Sequence, residues 1–365
     1  MSWIARLVPR RVVFSRPAQN ASERWEERQA LLLRLEDRQG RVGWGEASPL
    51  PGYSPDTLDR ARGVLRATDW GRLGAEVEAA RTLVGALARI EAHVGSSPSA
   101  RFAAETAALD LLGQRRGVPL HSLLGELTGA VAAEVPLAAW VQGADAAGTV
   151  AAARRAAAKG FGTLKLKLGR HLEVELAVAR TIRRELGPDV ALRFDANRSL
   201  PTQRAQAVME ALAELDAELL EEPVPLPRLS DWAPPTPVRL ALDESLADDA
   251  APVHLARLLD RGLVSAVVLK PMALGGFARC HGFAALARRR GAPVFVSHLL
   301  DGPVGRAAAG ALALALGGEL AHGLGPHAGL ESWQAELAID AGERLVATDA
   351  PGLGVRFLAG EPGRA

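Results

Sequence analysis

The spacing of hydrophobic positions changes once along the chain. Before about residue 125, apolar or alternating runs at Val12–Phe14 and Ala30–Leu35 predict strands, and Gly43-Trp44-Gly45-Glu46-Ala47 ends a hairpin-like unit. Pro49-Leu50-Pro51-Gly52-Tyr53-Ser54-Pro55 reads as a loop, with Ser54 as the N-cap of a helix opened by Pro55. Helical spacing follows over Thr57–Leu65 and Ala103–Gln114. The pattern is that of an α+β domain over 1–125.

From Val135 onward, short runs rich in Val, Leu and Ile alternate with Ala/Arg/Leu-rich amphipathic stretches. The runs are Val135–Val141, Thr163–Leu168, Val190–Asp195, Glu218–Glu221, Val238–Asp243, Ala266–Lys270, Pro293–Ser297 and Glu319–Gly323. Helices are predicted between most of them, as at Ala147–Lys159, Leu172–Leu186 and Pro201–Leu215. Eight such units predict an α/β fold, a (β/α)8-type barrel or its β/α7β variant without the last helix, over 126–324. A doubly wound sheet needs a glycine-rich first βα turn, and none is found; Gly275-Gly276 is too short and follows a late strand. Residues 325–365 are expected to return and complete the first domain.

Composition narrows the function classes. The 43 basic and 42 acidic residues nearly cancel, which leaves no global field for nucleic acid. The single cysteine, Cys280, excludes an intrachain disulfide framework and reads as an inert core thiol. Charges interrupt the first ten residues, and the longest uncharged run, Ala307–Gly318, is too short to span a bilayer. A soluble cytoplasmic protein with no membrane partner is expected. Only four of the basic residues are lysines: Lys159, Lys165, Lys167 and Lys270. Arginine stays protonated, whereas a lysine can be tuned to act as a base. Lys159 precedes Gly160 at a predicted helix end, where a cation suits the dipole.

The other three lysines fall at strand ends, where barrel enzymes place their chemistry. Lys165-Leu166-Lys167 ends the second strand, Asp195 the third, Glu221 the fourth, Asp243 the fifth and Lys270 the sixth. Lys165 and Lys167 share a face by the two-residue period. Three successive strand-end carboxylates can converge on one cation, and three hard oxygen donors suit Mg²⁺. Lys167 and Lys270 are expected to face each other across the barrel mouth. Removing a proton α to a carboxylate needs a close neutral base and a cation for the charge that grows on the carboxylate oxygens. Lys165, as a neighbouring ammonium, is a candidate for tuning Lys167. Glu222 and Glu244 alternate away from the predicted ligands, and Glu222 takes the ligand position if the strand phase slips by one. His298 and His327 read as structural histidines.

Lys165-x-Lys167, Asp195-Ala-Asn197, Glu221-Glu-Pro, Asp243-Glu-Ser and Lys270-Pro271, in this order, resemble the enolase superfamily and its muconate-lactonizing-enzyme subgroup. Ala104-Glu105-Thr106-Ala107-Ala108-Leu109-Asp110-Leu111-Leu112-Gly113 resembles the helix that precedes the barrel there. Within the subgroup, Gly43–Ser54 and Arg193-x-Asp195-Ala-Asn197 are most similar to the o-succinylbenzoate synthase family. That resemblance implies a capping domain from both chain ends, with loops near Ser15–Ser22 and Leu50–Ser54 closing over a small-molecule carboxylate. It implies Lys167 as the base of a syn dehydration, Lys270 as its electrostatic partner, and Asp195, Glu221 and Asp243 on Mg²⁺, with Mn²⁺ as an alternative ion. Arg193, Asn197, Tyr53 and Ser297 are candidates for contact with the substrate or support of these groups. Ser297-His298-Leu299-Leu300-Asp301-Gly302 departs from the serine run that some members carry.

The same residues also fit an N-acylamino acid racemase or a dipeptide epimerase, with the two lysines as opposed acid and base. A muconate cycloisomerase and a non-catalytic binding barrel are more distant alternatives, and a homo-oligomer is left open.

Overall fold

The computed structural model describes residues 3–19, 23–95, 97–325, 327, 329–334 and 342–357. The predicted loop Ser15–Ser22 and the predicted 325–365 return therefore lie partly outside the described residues.

Strands β1 (Ile4–Gln19), β2 (Arg24–Glu36) and β3 (Val42–Ala47) form an antiparallel sheet in that order. Ala30–Leu35 is buried on both faces, which explains an apolar run interrupted only at Arg34. Leu33 and Leu35 pack with the helices of this domain, while Ala30 and Leu32 join the core shared with the barrel. Helices α1 (Leu58–Ala67), α2 (Trp70–Ala79), α3 (Leu83–Val94) and α4 (Pro98–Arg116) each start at a Thr, Asp or Ser whose side chain accepts the first free amides. Thr57, not Ser54, caps α1; the Ser54 hydroxyl instead accepts from Leu50 N at 2.8 Å and closes the loop. Gly45 lets β3 lie against α4, since a Cβ there would sit 1.9 Å from the Ala103 carbonyl oxygen.

Helix α5 (Leu120–Thr128) leads to the barrel. The predicted run Val135–Val141 splits into β4 (Glu134–Pro136) and β5 (Ala138–Trp140). From β5 the parallel strands continue in order: β6 (Thr163–Lys167), β7 (Ala191–Asp195), β8 (Ala217–Glu221), β9 (Leu240–Leu242), β10 (Ala266–Leu269) and β11 (Val294–Val296). The expected eighth strand, Glu319–Gly323, is not formed. His322 and Gly323 close the ring with single bridges to Leu137 and Ser297. Glycines flank this apolar-poor stretch, so only two residues keep strand geometry. Among the described residues, helices α6 (Ala146–Ala158), α7 (Leu172–Leu186), α8 (Thr202–Glu214), α9 (Leu226–Ser230), α10 (Ala251–Asp260), α11 (Pro271–Leu274), α12 (Phe277–Arg288) and α13 (Pro303–Leu316) lie outside the strands. None of these is long and apolar enough to cross a membrane. The described part of the C-terminal segment contributes β12 (Arg344–Val346) antiparallel to β4. Farther on, Leu353 N donates to Asp110 on α4 at 2.8 Å, and Phe357 packs edge-on to Trp44 at 5.0 Å.

Inside the barrel, Leu219, Ala241, Ala266, Val268 and Phe295 form one buried apolar cluster. Residues two positions later on four of those strands share the inner face at the C-terminal end. They are Glu221, Asp243, Lys270 and Ser297.

Candidate active site

Parallel register sets Lys165 beside Arg193, Lys167 beside Asp195, and Asp195 beside Glu221. Asp243 and Lys270 are the residues that immediately follow β9 and β10. One oxygen from each of Asp195, Glu221 and Asp243 lies within 4.8 Å of the others, and all three residues are buried. Two ammonium groups share Asp195 Oδ2: Lys165 Nζ and Lys167 Nζ each lie at 2.8 Å. Lys165 Nζ also reaches Glu221 Oε2 at 2.5 Å. Lys270 Nζ donates to Asp243 Oδ2 and, at 2.5 Å, to the Tyr53 hydroxyl. That hydroxyl donates in turn to Asp243 Oδ1 at 3.0 Å.

These contacts set the charge balance. Burial would lift the Asp195 carboxyl, but Lys165, Lys167 and Lys270 outweigh it and hold it well below the carboxylate range. Burial would lower the Lys165 ammonium, but Asp195, Glu221 and Asp243 keep it raised. Glu221 is pushed up by burial, with Asp195 and Asp243 adding to the effect of crowding. Its Oε1 is buried with no hydrogen-bond partner among the described residues. An unpartnered acceptor within a set of three hard oxygen donors fits a magnesium-type cation. Lys165, held between two of the three carboxylates, sits where it supports them rather than where it reaches solvent.

Asn197 takes a left-handed backbone, φ 44°, which Asn tolerates. Its Oδ1 accepts from Lys167 Nζ at 2.8 Å and its Nδ2 donates to Glu244 Oε1 at 2.5 Å. Glu222 is turned out of the carboxylate triad by a φ of 42°. It accepts from the Asp243 and Ser245 amides at 2.8 and 2.9 Å and so fixes the backbone beside Asp243. Arg193 does not line the cavity. It lies two residues below Asp195 on the inner face, pairs with Glu218 at 2.7 Å, donates to the Ala321 carbonyl at 2.9 Å and stacks 4.1 Å from the Phe295 ring centroid. Of the two readings the sequence left open for Arg193, this geometry is that of support, as a brace across the barrel closure.

A cavity opens above these groups. Lys165, Lys167, Lys270 and Ser297 line its floor; Tyr53, Trp25 and Leu50 come from the N-terminal domain. Trp140, His298 and His327 complete the wall and were not singled out as cavity groups by the sequence. The only sequence signal for Trp140 was its place at the end of the first barrel strand. His298 Nδ1 accepts from Asp301 N at 3.2 Å, and burial, with Arg306 nearby, pushes the imidazole down to about 3. His327 is pushed down to about 4 by burial and lies 4.5 Å from the Trp140 ring. Both histidines are neutral at pH 7. The Ser297 hydroxyl donates to the Gly323 carbonyl at 3.2 Å.

Comparison with known proteins agrees with this arrangement. The family model for the mandelate racemase / muconate lactonizing enzyme N-terminal domain matches residues 4–125, and the enolase C-terminal domain-like model matches 148–360. The chain is 30% identical over 302 residues to an o-succinylbenzoate synthase of Geobacillus stearothermophilus, covering 78% of this chain and 73% of that one. It is 28% identical over 257 residues to a hydrophobic dipeptide epimerase of Enterococcus faecalis, covering 69% of each. Among solved structures, a dipeptide epimerase from Methylococcus capsulatus complexed with Mg and the dipeptide L-Arg-D-Lys superimposes with a TM-score of 0.83 at 25% identity, over 98% of this chain and 100% of that one. Two family models that together span most of the chain, over a barrel carrying three lysines and three carboxylates at its strand ends, make this protein a member of the enolase superfamily, in its muconate-lactonizing-enzyme subgroup.

Proposed function

We propose that the protein is a dehydratase of the o-succinylbenzoate synthase type, acting on a cyclohexadiene carboxylate that bears a hydroxyl and a succinyl side chain. The observation that carries this reading is the uncharged outer wall of the cavity. Among the described residues lining it there is no Asp or Glu: above the lysines and Ser297 the wall includes Gln19, Trp25, Leu50, Trp140, His298, Leu299, Leu300 and His327. A free dipeptide would bury its terminal ammonium here without a counter-charge, at a cost of several kcal/mol. The cyclohexadiene substrate carries no ammonium and sets its ring against the apolar part of this wall, and the carboxylate of its succinyl side chain has the polar lining groups Gln19, Ser297 and His298 to meet it.

Asp195, Glu221 and Asp243 would hold Mg²⁺, which when bound neutralises negative charge developing on the substrate carboxylate. Lys167 then removes the α-proton. The carbon–oxygen bond breaks as the ring becomes aromatic, and the departing hydroxide takes the proton back from Lys167 and leaves as water. No oxidant or reductant is needed. Lys270 stabilises the charged intermediate from the opposite side, while Lys165 and Asn197 fix Asp195 and Lys167. The Tyr53 loop and the aromatic wall exclude water.

The test is turnover of the cyclohexadiene precursor with Mg²⁺, followed by its absorbance loss. Wild type is expected to turn over, and Lys167→Ala to lose about 10²–10⁴-fold in kcat. A folded, Mg²⁺-loaded wild type that leaves the precursor untouched but exchanges deuterium into N-succinylamino acids would replace this reading by racemisation.

A further inference from the structure

Helix α11 is a single turn that starts at Lys270, whose carbonyl accepts from the amides of Ala273 and Leu274 at 3.0 and 2.9 Å. Gly275 and Gly276 then lead into α12. The N-cap of α12 is Gly276, which has no side chain to accept the free amides of the helix. That acceptor comes from α4, 171 residues earlier in the chain than Gly276: Glu105 Oε2 accepts from Phe277 N and, at 3.3 Å, from Ala278 N. One turn before Glu105, Arg101 donates to the Leu274 carbonyl at the end of α11 at 3.5 Å. Phe102 packs edge-on to Phe277 with ring centroids 5.6 Å apart. Helix α4 thus grips both ends of the Gly275-Gly276 turn. The fit leaves no room at Gly276, where φ is +101° and a Cβ would lie 2.2 Å from Glu105 Oε2.

The arrangement recurs at the next helix. The N-cap of α13 is Gly302, and Glu46 on β3 accepts from Gly302 N and Gly305 N at 2.6 and 2.9 Å. By contrast, α6 is capped by its own Asp145, and the amides ahead of α7 go to that helix's own Glu175. The two helices capped from the other domain are those that follow Lys270 and the Ser297–Asp301 loop.

We propose that Glu105 is a positioning residue for Lys270: it caps α12 from the N-terminal domain and so fixes the one-turn helix on which the Lys270 backbone depends. The part Lys270 plays in turnover rests on the function proposed above; the clamp itself does not. Two readouts separate them, amide hydrogen exchange over residues 270–280 and the split of kcat from KM. Glu105→Ala is expected to speed exchange there about tenfold and lower kcat about tenfold, with KM within about twofold of wild type. Glu105→Gln keeps an acceptor at the same reach and is expected to restore both. Wild-type exchange and kcat in the alanine variant would overturn the proposal, as would a glutamine variant as impaired as alanine. Should alanine prevent folding, Glu105→Asp draws the carboxylate back by one methylene; it is expected to shift both readouts the same way, and unchanged values overturn the proposal. If wild type proves to be a racemase, deuterium exchange into N-succinylamino acids supplies kcat, and the amide-exchange result still decides whether the clamp exists.

Discussion

Tyr53 shows what a single residue adds that a motif does not reveal. The sequence placed it in a Pro/Gly loop, as a candidate for substrate contact or support of the catalytic groups. The fold brings it 217 positions along the chain to Lys270, with its hydroxyl between that ammonium and Asp243 and its ring centroid 4.4 Å from Nζ. Hydrogen bonds to charged groups are worth about 1.5–3 kcal/mol, so Tyr53→Phe is expected to lower kcat by about 10–100-fold while the ring continues to fill the wall. Steady-state kinetics in saturating Mg²⁺ checks this; an unchanged kcat would leave Tyr53 as wall only. The lysines and carboxylates were legible because they recur at strand ends, where period and topology alone bring them together. Arg193 has the same period, and the sequence left it open between substrate contact and support; two residues lower on a strand is one layer deeper in the barrel, where it pairs with Glu218. The cavity roles of His298 and His327 depend on loops whose path no local pattern encodes.

At the scale of elements, the helices named from the sequence were legible from their spacing, whereas the one cap read from it, Ser54, was not the cap that forms: Thr57 caps α1. The eighth strand was not legible, because a run flanked by glycines keeps only two bridge residues. Helices α12 and α13 have glycine N-caps with no side-chain acceptor of their own, and only α13 carries a local start signal, Pro303 at its first position; their acceptors, Glu105 and Glu46, lie in another domain. The Glu105 carboxyl is pushed up to about 8 by burial, against the Phe277 and Ala278 amides and Arg101, with Glu91 also facing it. Buried Cys280 of α12 is packed nearby. Between the ordinary carboxylate pKa and about 8, the folded state binds the proton that the unfolded state has released. Stability therefore falls as pH rises through that window. Glu105→Gln removes this contribution, since its amide resembles the protonated acid. The stability difference between wild type and Glu105→Gln, from urea melts at pH 5, 7 and 9, is expected to shift steadily in favour of the variant. A difference independent of pH would show that Glu105 is ionised in the fold throughout.

For the whole molecule, these caps bear on how the two domains unfold. Inter-domain interfaces within a chain are commonly small and polar, and the domains then separate independently. Here Glu105 and Glu46 terminate barrel helices, and buried Arg28 on β2 donates to the Leu300 carbonyl of the barrel at 3.0 Å and the Pro49 carbonyl of the Tyr53 loop at 3.0 Å. Ala30, Leu32 and Trp44 share one apolar cluster with barrel residues such as Leu164, Leu242 and Val296. Separating the domains would uncover that cluster and leave the first amides of α12 and α13 unpaired, so neither half retains its packing alone. Urea unfolding is therefore expected to be one transition. Amide exchange of β1–β3 reports the N-terminal domain, and amide exchange of β6–β8 reports the barrel. Coincident midpoints from the two probes are the expected result. On the proposed assignment of Mg²⁺ to Asp195, Glu221 and Asp243, added Mg²⁺ is expected to raise both midpoints together, by mass action on the folded state alone. Separate midpoints, or a Mg²⁺ effect confined to the barrel probe, would mean that the cap opens without the barrel, and that the Tyr53 contact with Lys270 forms only when the cap closes.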